Sequence, residues 1–466
     1  MAFEIPSDLM VSVSGVRGRV GEALTPEVVA RFAAAFGAFL RESTGEARPR
    51  VVLGRDSRTS GPLFARAAAA GLESTGCDVI AVGLAPTPTT LFAIRHNRAH
   101  GAIVVTASHN PVEWNALKFA SGAGMFLDAE EAPLMRAFVA ERPIPRAGWD
   151  ALGVLSEDEG AVQRHLDAVL ALPFLDVEGL RRRAFSVALD CIRGAGTVIL
   201  PALLEALGCR VVGLNLEPDG RFHRPPEPVA ENLGELATAV TAAGADLGMA
   251  TDPDADRLSL VGPAGRAIGE DYTLALAAML VLRHRSGPVV TNLSTSRILD
   301  DVAERAGQRV IRSPVGEIHV ARRMEREGAV IGGEGNGGVI LPDLHHTRDA
   351  TVAAALTLQV LLETGKTLDE LVAELPRYAI VKDKLPRDAG PLEPTYAALE
   401  ARLGADAADR QDGLRLDWHE GRRWLHLRPS GTEPILRIIA EAPGEQEARA
   451  LVEEARAALG AAAAGA

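Results

Sequence analysis

Aromatic residues make up only 4% of this 466-residue chain. Its cores must therefore be built from Ala, Val, Leu and Ile. Cysteine is scarce as well: Cys77, Cys191 and Cys209 are the three. They are far apart, odd in number and without metal-type spacing, which excludes a disulfide framework or a cysteine-based metal site. Cys77 and Cys209 stand in matching apolar contexts and read as small core residues. A reducing, cytoplasmic setting fits. Basic excess is lacking: the 49 Lys and Arg are outnumbered by 62 Asp and Glu, a net charge of −13. That sign argues against nucleic acid and anionic membranes as partners. No apolar run reaches the ~18 residues of a membrane span. The start, Met1-Ala2-Phe3-Glu4-Ile5-Pro6, lacks the charged and apolar regions of a signal peptide. An anionic ligand would need a local cationic cluster, working against the field of the whole chain.

What is present is the composition of a soluble globular protein, 47% apolar and 24% charged. The length exceeds one ordinary core and suggests three or four domains. An internal repeat supports this. Gly76-Cys77-Asp78-Val79-Ile80, Gly208-Cys209-Arg210-Val211-Val212 and Gly307-Gln308-Arg309-Val310-Ile311 each follow a helical stretch. Each puts Gly where a helix would be capped, then starts a short β-branched strand. Strands are expected at 50–54, 78–82 and 102–105, at 185–190, 210–214 and 246–250, and at 289–292, 309–312 and 329–332. Strands alternating with helices imply helix-covered sheets. The last ~90 residues differ, with strands at 378–385, 413–418, 423–427 and 435–440 and a terminal helix at 445–459. Short connections there suggest antiparallel pairing. The expected fold is α/β: three tandem similar α/β domains with mixed sheets (1–145, 146–250, 251–375) plus a smaller C-terminal α+β domain (376–466), around a central cleft.

Four loops carry the candidate chemistry. The apolar run Ala102–Val105 stops at Thr106-Ala107-Ser108-His109-Asn110-Pro111, where Asn-Pro turns the chain out of the sheet. A serine at such a strand end can carry a covalent group, and a neighbouring imidazole can move a proton. The other three are Thr251-Asp252-Pro253-Asp254-Ala255-Asp256-Arg257, Gly332-Gly333-Glu334-Gly335-Asn336-Gly337-Gly338 and Arg428-Pro429-Ser430-Gly431-Thr432-Glu433-Pro434.

Together these loops resemble the signature loops of the α-D-phosphohexomutase family, which includes phosphoglucomutase, phosphomannomutase and phosphoglucosamine mutase. They occur in the family's order and span nearly the whole chain. The resemblance implies a phosphoserine at Ser108, which gives its phosphate to a sugar monophosphate and takes back the other phosphate from the bisphosphate. The net reaction moves phosphate between O1 and O6, and a catalytic sugar bisphosphate acts as activator. His109 and Lys118 would assist proton transfer, with Lys118 expected at a loop–helix junction. Arg17, in Ser14-Gly15-Val16-Arg17-Gly18, would contact the phosphoserine region. Gly54-Arg55-Asp56-Ser57-Arg58 reads as a structural Arg–Asp pairing at a turn.

Asp252, Asp254 and Asp256 alternate, and alternate residues of an extended stretch point to one side. Three such carboxylates repel one another unless a cation intervenes. Hard oxygen ligands and phosphate chemistry favour Mg²⁺, with Ser108 completing the shell. The spacing does not fit an EF-hand, since Arg257 and Pro263 occupy its Gly and Glu places. Arg257 would add a cation for the charge that spreads over the phosphoryl oxygens. The resemblance gives Glu334 and Asn336 to the sugar hydroxyls. It departs from the family at Gly337-Gly338, where many members carry Gly-His, and at Glu317, which stands in place of a sugar-touching histidine. Glu317 reads either as a hexosamine contact or as a helix N-terminal acid. Arg428, Ser430, Gly431 and Thr432 look like an anion cradle of one guanidinium, hydroxyls and free backbone N–H groups. His345-His346 has no third ligand at suitable spacing and reads as loop filling or capping. The favoured substrate is glucosamine phosphate. The alternatives are mannose or glucose phosphate, a sugar-phosphate phosphatase, or a sugar bisphosphate synthase. A monomer and a homodimer are both open.

Overall fold

The computed structural model describes residues 4–13, 15–386, 392–430 and 435–464, with side chains described to residue 459. Four sheets follow one another along the chain. In the first, the strands Asp78–Leu84, Arg50–Arg55, Gly101–Val105 and Trp114–Ser121 lie side by side in that order, extended by Leu155–Glu157 on one edge and by Gly15–Arg19 and Met10–Ser12 on the other. The second runs Arg210–Leu214, Ser186–Asp190, Leu247–Thr251, Leu258–Val261. The third runs Val310–Ser313, Val289–Asn292, Ile331–Glu334, Gly338–Ile340.

The three share one plan. Within each core the spatial order is second strand, first strand, third strand, return strand. The first three are parallel and the return strand is antiparallel. The glycines of the sequence repeat explain the common entry to the second strand: Gly76, Gly208 and Gly307 all have left-handed φ, at 85°, 73° and 66°. That conformation costs glycine little and lets each helix stop abruptly.

Two boundaries differ from expectation. The strand Leu155–Glu157 pairs with Asp78–Leu84 in the first sheet, so that unit runs past residue 145. A division between residues 250 and 251 would cut a hairpin, because Leu247–Thr251 pairs antiparallel with Leu258–Val261. The acidic loop is therefore the turn of a hairpin in the second sheet. Its alternating carboxylates resemble the start of a new segment only while strand pairing is unknown.

The second and third sheets share one apolar core. It is closed by the fully apolar face of Ala350–Thr364 and by Asp271–His284, whose Leu356, Leu358, Leu276 and Leu280 have no exposure. The first sheet has its own core around Phe32, Phe36, Phe64 and Phe119. The C-terminal sheet is antiparallel throughout, in the order Ala379–Pro386, Ile435–Ala442, Arg423–Pro429, Leu414–Trp418, Ala407–Asp409. Among the described residues no helix is long and apolar enough to cross a membrane.

Candidate active site

Each of the three α/β units offers one loop at the same place, between its third parallel strand and its return strand. Residues 106–113 hold Ser108, residues 252–257 hold the three aspartates, and residues 335–337 follow Glu334. The carboxyl ends of parallel strands are where α/β sheets bind ligands. The common topology therefore turns three separate loops toward one cleft.

Ser108 is 5% exposed and adopts a left-handed φ of 48°. A non-glycine residue holds that conformation only when its surroundings impose it. The surroundings here are Arg58, which has no exposure. It donates from Nη2 to the carbonyls of Ser108 (2.6 Å) and Asn110 (2.7 Å), and from Nη1 to those of Pro111 (2.7 Å) and Trp114 (2.9 Å). Its Nε donates to Asp56 at 3.0 Å, and Thr106 links the same carboxylate to the Ser108 N–H. The Arg–Asp turn does pair as expected, and it also shapes the whole serine loop.

The Ser108 hydroxyl donates to Asp252 Oδ2 at 3.0 Å, and His109 Nδ1 lies 3.4 Å from it. Arg257 and burial, with Arg17, push the His109 imidazole down to about 2, so the ring is neutral. Arg17 donates to Asn110 Oδ1 at 2.8 Å, at the other end of the serine loop.

Asp252, Asp254 and Asp256 have no exposure, and one carboxylate oxygen of each lies within 4.8 Å of the others. They converge through a turn in which Ala255 is left-handed (φ 52°), not through an extended stretch. Burial, with the Asp256 and Asp254 charges, drives the Asp252 carboxyl well above its usual range. Each of the other two is held by one oxygen. Asp254 Oδ2 accepts from Lys118 Nζ (2.9 Å) and Thr87 Oγ1 (2.7 Å), and Asp256 Oδ2 accepts from Arg348 Nη2 (2.5 Å). Asp254 Oδ1 and Asp256 Oδ1 are buried without a hydrogen-bond partner. Orphaned buried carboxylate oxygens beside a third carboxyl are the donor set of a hard divalent cation, so the residues fit Mg²⁺.

Glu334 ends its strand at 4% exposure. Its Oε1 accepts from Asn292 (2.8 Å) and the Gly316 N–H (3.2 Å), and its Oε2 accepts from Arg348 Nη1 (2.7 Å). Burial alone would raise this carboxyl, yet Arg348 and Asn292 hold it below its usual value. It is an acceptor with both oxygens held by protein donors.

Four domains of known description match along the chain: phosphoglucomutase/phosphomannomutase alpha/beta/alpha domain I at residues 9–142, domain II at 163–265, domain III at 269–378 and the C-terminal domain at 378–458. A phosphoglucomutase/phosphomannomutase of Thermococcus kodakarensis is 41% identical over 94% of this chain and 96% of its own length. The chain belongs to the phosphoglucomutase/phosphomannomutase family. A probable phosphoglucosamine mutase of Methanopyrus kandleri is 37% identical over 95% of both chains. A crystal structure of a family member from Burkholderia thailandensis superposes with a TM-score of 0.85 at 26% identity, covering 98% of each chain. The protein is a phosphohexomutase, an isomerase-class phosphotransferase, and the acidic triad is able to hold the metal.

Of the remaining residues of this phosphohexomutase, Lys118 and the Ser430 N–H stand otherwise than expected, and Glu317 takes one of its two expected places. Lys118 sits on the strand Trp114–Ser121, opposite Val104, and not at a loop–helix junction. The Asn110-Pro111 turn sends the chain straight back as a hairpin. Burial would lower the Lys118 ammonium, but Asp254 and Asp256 hold it above its usual value. Glu317 begins a helix, and its Oε1 is taken by Thr347 Oγ1 and the Arg348 N–H. The carboxylate thus anchors protein groups.

In the C-terminal loop, Arg428 Nε donates to Asp412 (2.8 Å), which also accepts the Val315 N–H (3.1 Å) beside Gly316. The Ser430 N–H is spent on the Ile435 carbonyl (2.9 Å), so it is not a free donor for an anion. Gly431 and Thr432 lie outside the described residues. Asn336 Oδ1 accepts the Gly338 N–H at 3.3 Å, an Asx-type turn within the glycine hairpin.

Arg58, Thr87, Asn292 and Arg348 were not legible as site residues. The one signal near Arg348 was Asp349 ahead of an apolar helix, and Asp349 does cap it.

Proposed function

We propose that the chain runs its mutase reaction through a phosphoserine at Ser108 and that its preferred sugar is glucosamine phosphate. The observation that carries the mechanism is the Ser108 hydroxyl, in a constrained loop, 3.0 Å from the acidic triad. Phospho-Ser108 transfers its phosphoryl group to a hydroxyl of a hexosamine monophosphate. The P–O bond to Ser108 breaks as the P–O bond to the sugar forms, and the hydroxyl proton leaves to a nearby base. His109 beside Ser108 accepts it once the negative charge of the phosphoserine offsets the Arg257 and Arg17 guanidiniums, and Lys118, held on Asp254, returns protons to oxygens that are leaving. The bisphosphate then gives its other phosphate back to Ser108. A divalent cation on Asp252, Asp254 and Asp256 supplies charge for the transferring group. Arg257, with its Nε 4.0 Å from Asp252 and 3.8 Å from Asp256, places a second cation there. Glu334 and Asn336 receive the sugar hydroxyls, and the loop at Arg428 grips the phosphate that is not in transfer.

The sugar preference rests on charge. Glu317 and Glu334 share a single guanidinium, Arg348, which also holds Asp256. A hexosamine ammonium relieves that excess of carboxylates, and a neutral hydroxyl does not. The second reading, glucose or mannose phosphate, is favoured by the 41% identical relative. Steady-state kcat/KM on glucosamine 6-phosphate, glucose 1-phosphate and mannose 1-phosphate separates the two. Higher values on the hexoses refute the charge argument. Ser108→Ala should abolish turnover and leave the circular dichroism spectrum unchanged. Undiminished turnover in that variant refutes the phosphoserine.

A further inference from the structure

Arg348 lies between the return strand of the third sheet and the helix Ala350–Thr364, 7% exposed. It uses three different nitrogens on three carboxylates from three segments. Nη2 meets Asp256 Oδ2 at 2.5 Å, Nη1 meets Glu334 Oε2 at 2.7 Å, and Nε makes an ion contact with Glu317 Oε2 at 3.2 Å. The first carboxylate belongs to the metal loop of the second unit. The second belongs to the sugar loop of the third. A guanidinium is planar and presents its donors in a fixed fork, so these groups cannot move independently.

The arginine is itself rigidly mounted. Its N–H donates to Glu317 Oε1 at 3.0 Å. The adjacent Asp349 caps the helix through Oδ1 (Thr351 N, 2.8 Å), and its Oδ2 meets His165 Nε2 (2.8 Å) and His345 Nε2 (2.9 Å). His165, His345 and Asp349 have the spacing of a metal site. The tautomer argues otherwise. His345 Nδ1 accepts the Thr347 N–H at 3.2 Å, so its Nε2 carries the proton and donates to Asp349. The cluster is a hydrogen-bonded mount for the Arg348 backbone, tied to the first unit through Thr89, whose Oγ1 is 2.8 Å from His165 Nδ1.

We propose that Arg348 is a positioning residue that couples cation binding at the metal loop to sugar binding at the sugar loop. It holds one oxygen of Asp256, which leaves Oδ1 for the cation, and Oε2 of Glu334, whose Oε1 is fixed by Asn292 and the Gly316 N–H. Drawing Asp256 toward a cation shifts Arg348 relative to Glu334, and the reverse holds when sugar binds. The affinities of the two ligands are then linked reciprocally. The inference rests on the roles given above to Asp256 and Glu334.

The test is a Mn²⁺ titration followed by electron paramagnetic resonance, with and without saturating glucosamine 6-phosphate. It is run on wild type, Arg348→Lys and Arg348→Gln, with a thermal melt of each. In wild type the sugar phosphate should tighten Mn²⁺ by about fivefold or more, the lower range of a coupling free energy. Arg348→Lys keeps the charge and reaches only one carboxylate, so the ratio should fall to about one while the protein stays folded. Should Arg348→Gln unfold, the lysine variant decides. Wild-type coupling in the folded variants, or no coupling in wild type, overturns the proposal and leaves the mutase reading intact. A wild type that neither binds Mn²⁺ nor turns over any hexosamine or hexose phosphate overturns that reading, and this inference with it.

Discussion

Arg58→Lys isolates what the buried guanidinium does for the serine loop. Arg58 makes five charge-assisted hydrogen bonds, four to carbonyls of residues 108–114 and one to Asp56. A lysine ammonium has three donors on a single nitrogen, so at least two of the five are lost. A hydrogen bond to a charged group contributes about 1.5–3 kcal/mol, which sets the loss at about 3 kcal/mol or more. In a domain of this size each kcal/mol moves the melting temperature by about 2–4 °C, so the first unit should melt about 6–12 °C lower. Turnover should fall as well. The left-handed φ of Ser108 is imposed by these carbonyl contacts, and a displacement of the nucleophile by about 1 Å costs on the order of 100-fold in rate. The assay is a thermal melt followed by kcat at a temperature below both transitions, with phosphorylation of Ser108 read by intact mass. A variant that melts within about 2 °C of wild type and keeps its kcat would refute the claim that Arg58 shapes the loop. Loss of stability with full kcat would show that the strained serine is held by something else.

Two further outcomes are expected. Asp254→Asn removes a buried carboxylate whose free oxygen faces the triad. It should shift the Mg²⁺ activation curve to higher concentration by at least about tenfold, and superimposed titrations would remove Asp254 from the cation site. The Asp271 carboxyl is pushed by burial from 3.8 up to about 7. Its folded-state pKa is raised, so the folded state keeps the proton longer, and stability falls as pH rises from about 4 through 7. Three units at 1.36 kcal/mol each give about 4 kcal/mol as an upper bound. The residue is half-buried on the wall of a 710 Å³ cavity with Glu227 and Glu270, and solvent screening trims the figure to about 1–2 kcal/mol. Asp271→Asn should therefore gain stability over wild type at pH 8 relative to pH 4.5 in urea melts. Parallel pH profiles for the two proteins would show that Asp271 does not titrate in this window.

The sequence by itself determined the repeat, the strands and the chemical loops. Glycine punctuation and β-branched runs are local signals, and Gly76, Gly208 and Gly307 mark three left-handed turns that lead into three equivalent strands. Ser108, the aspartate triad and Glu334 were legible because their loops occur together in one family's order; each run alone reads as an ordinary turn. Tertiary structure decided what those runs face. The metal loop proved to be the turn of a hairpin because Thr251 pairs with Leu258, a contact between strands that local composition does not encode. Lys118 became a strand residue held by a carboxylate 136 positions away. Arg348 carries no local mark, and Arg58 was marked only as part of an Arg–Asp pairing at a turn. A lone arginine reads as solvated surface until folding brings carbonyls or carboxylates from distant segments around it, and burial then makes every one of those contacts obligatory. Glu317 shows the same limit from the other side. Its position read either as a sugar contact or as a helix N-terminal acid; it does begin a helix, and the fold surrounds its carboxylate with Thr347 and Arg348. Local chemistry names the reacting groups, and only long-range packing can supply the partners that hold them in place.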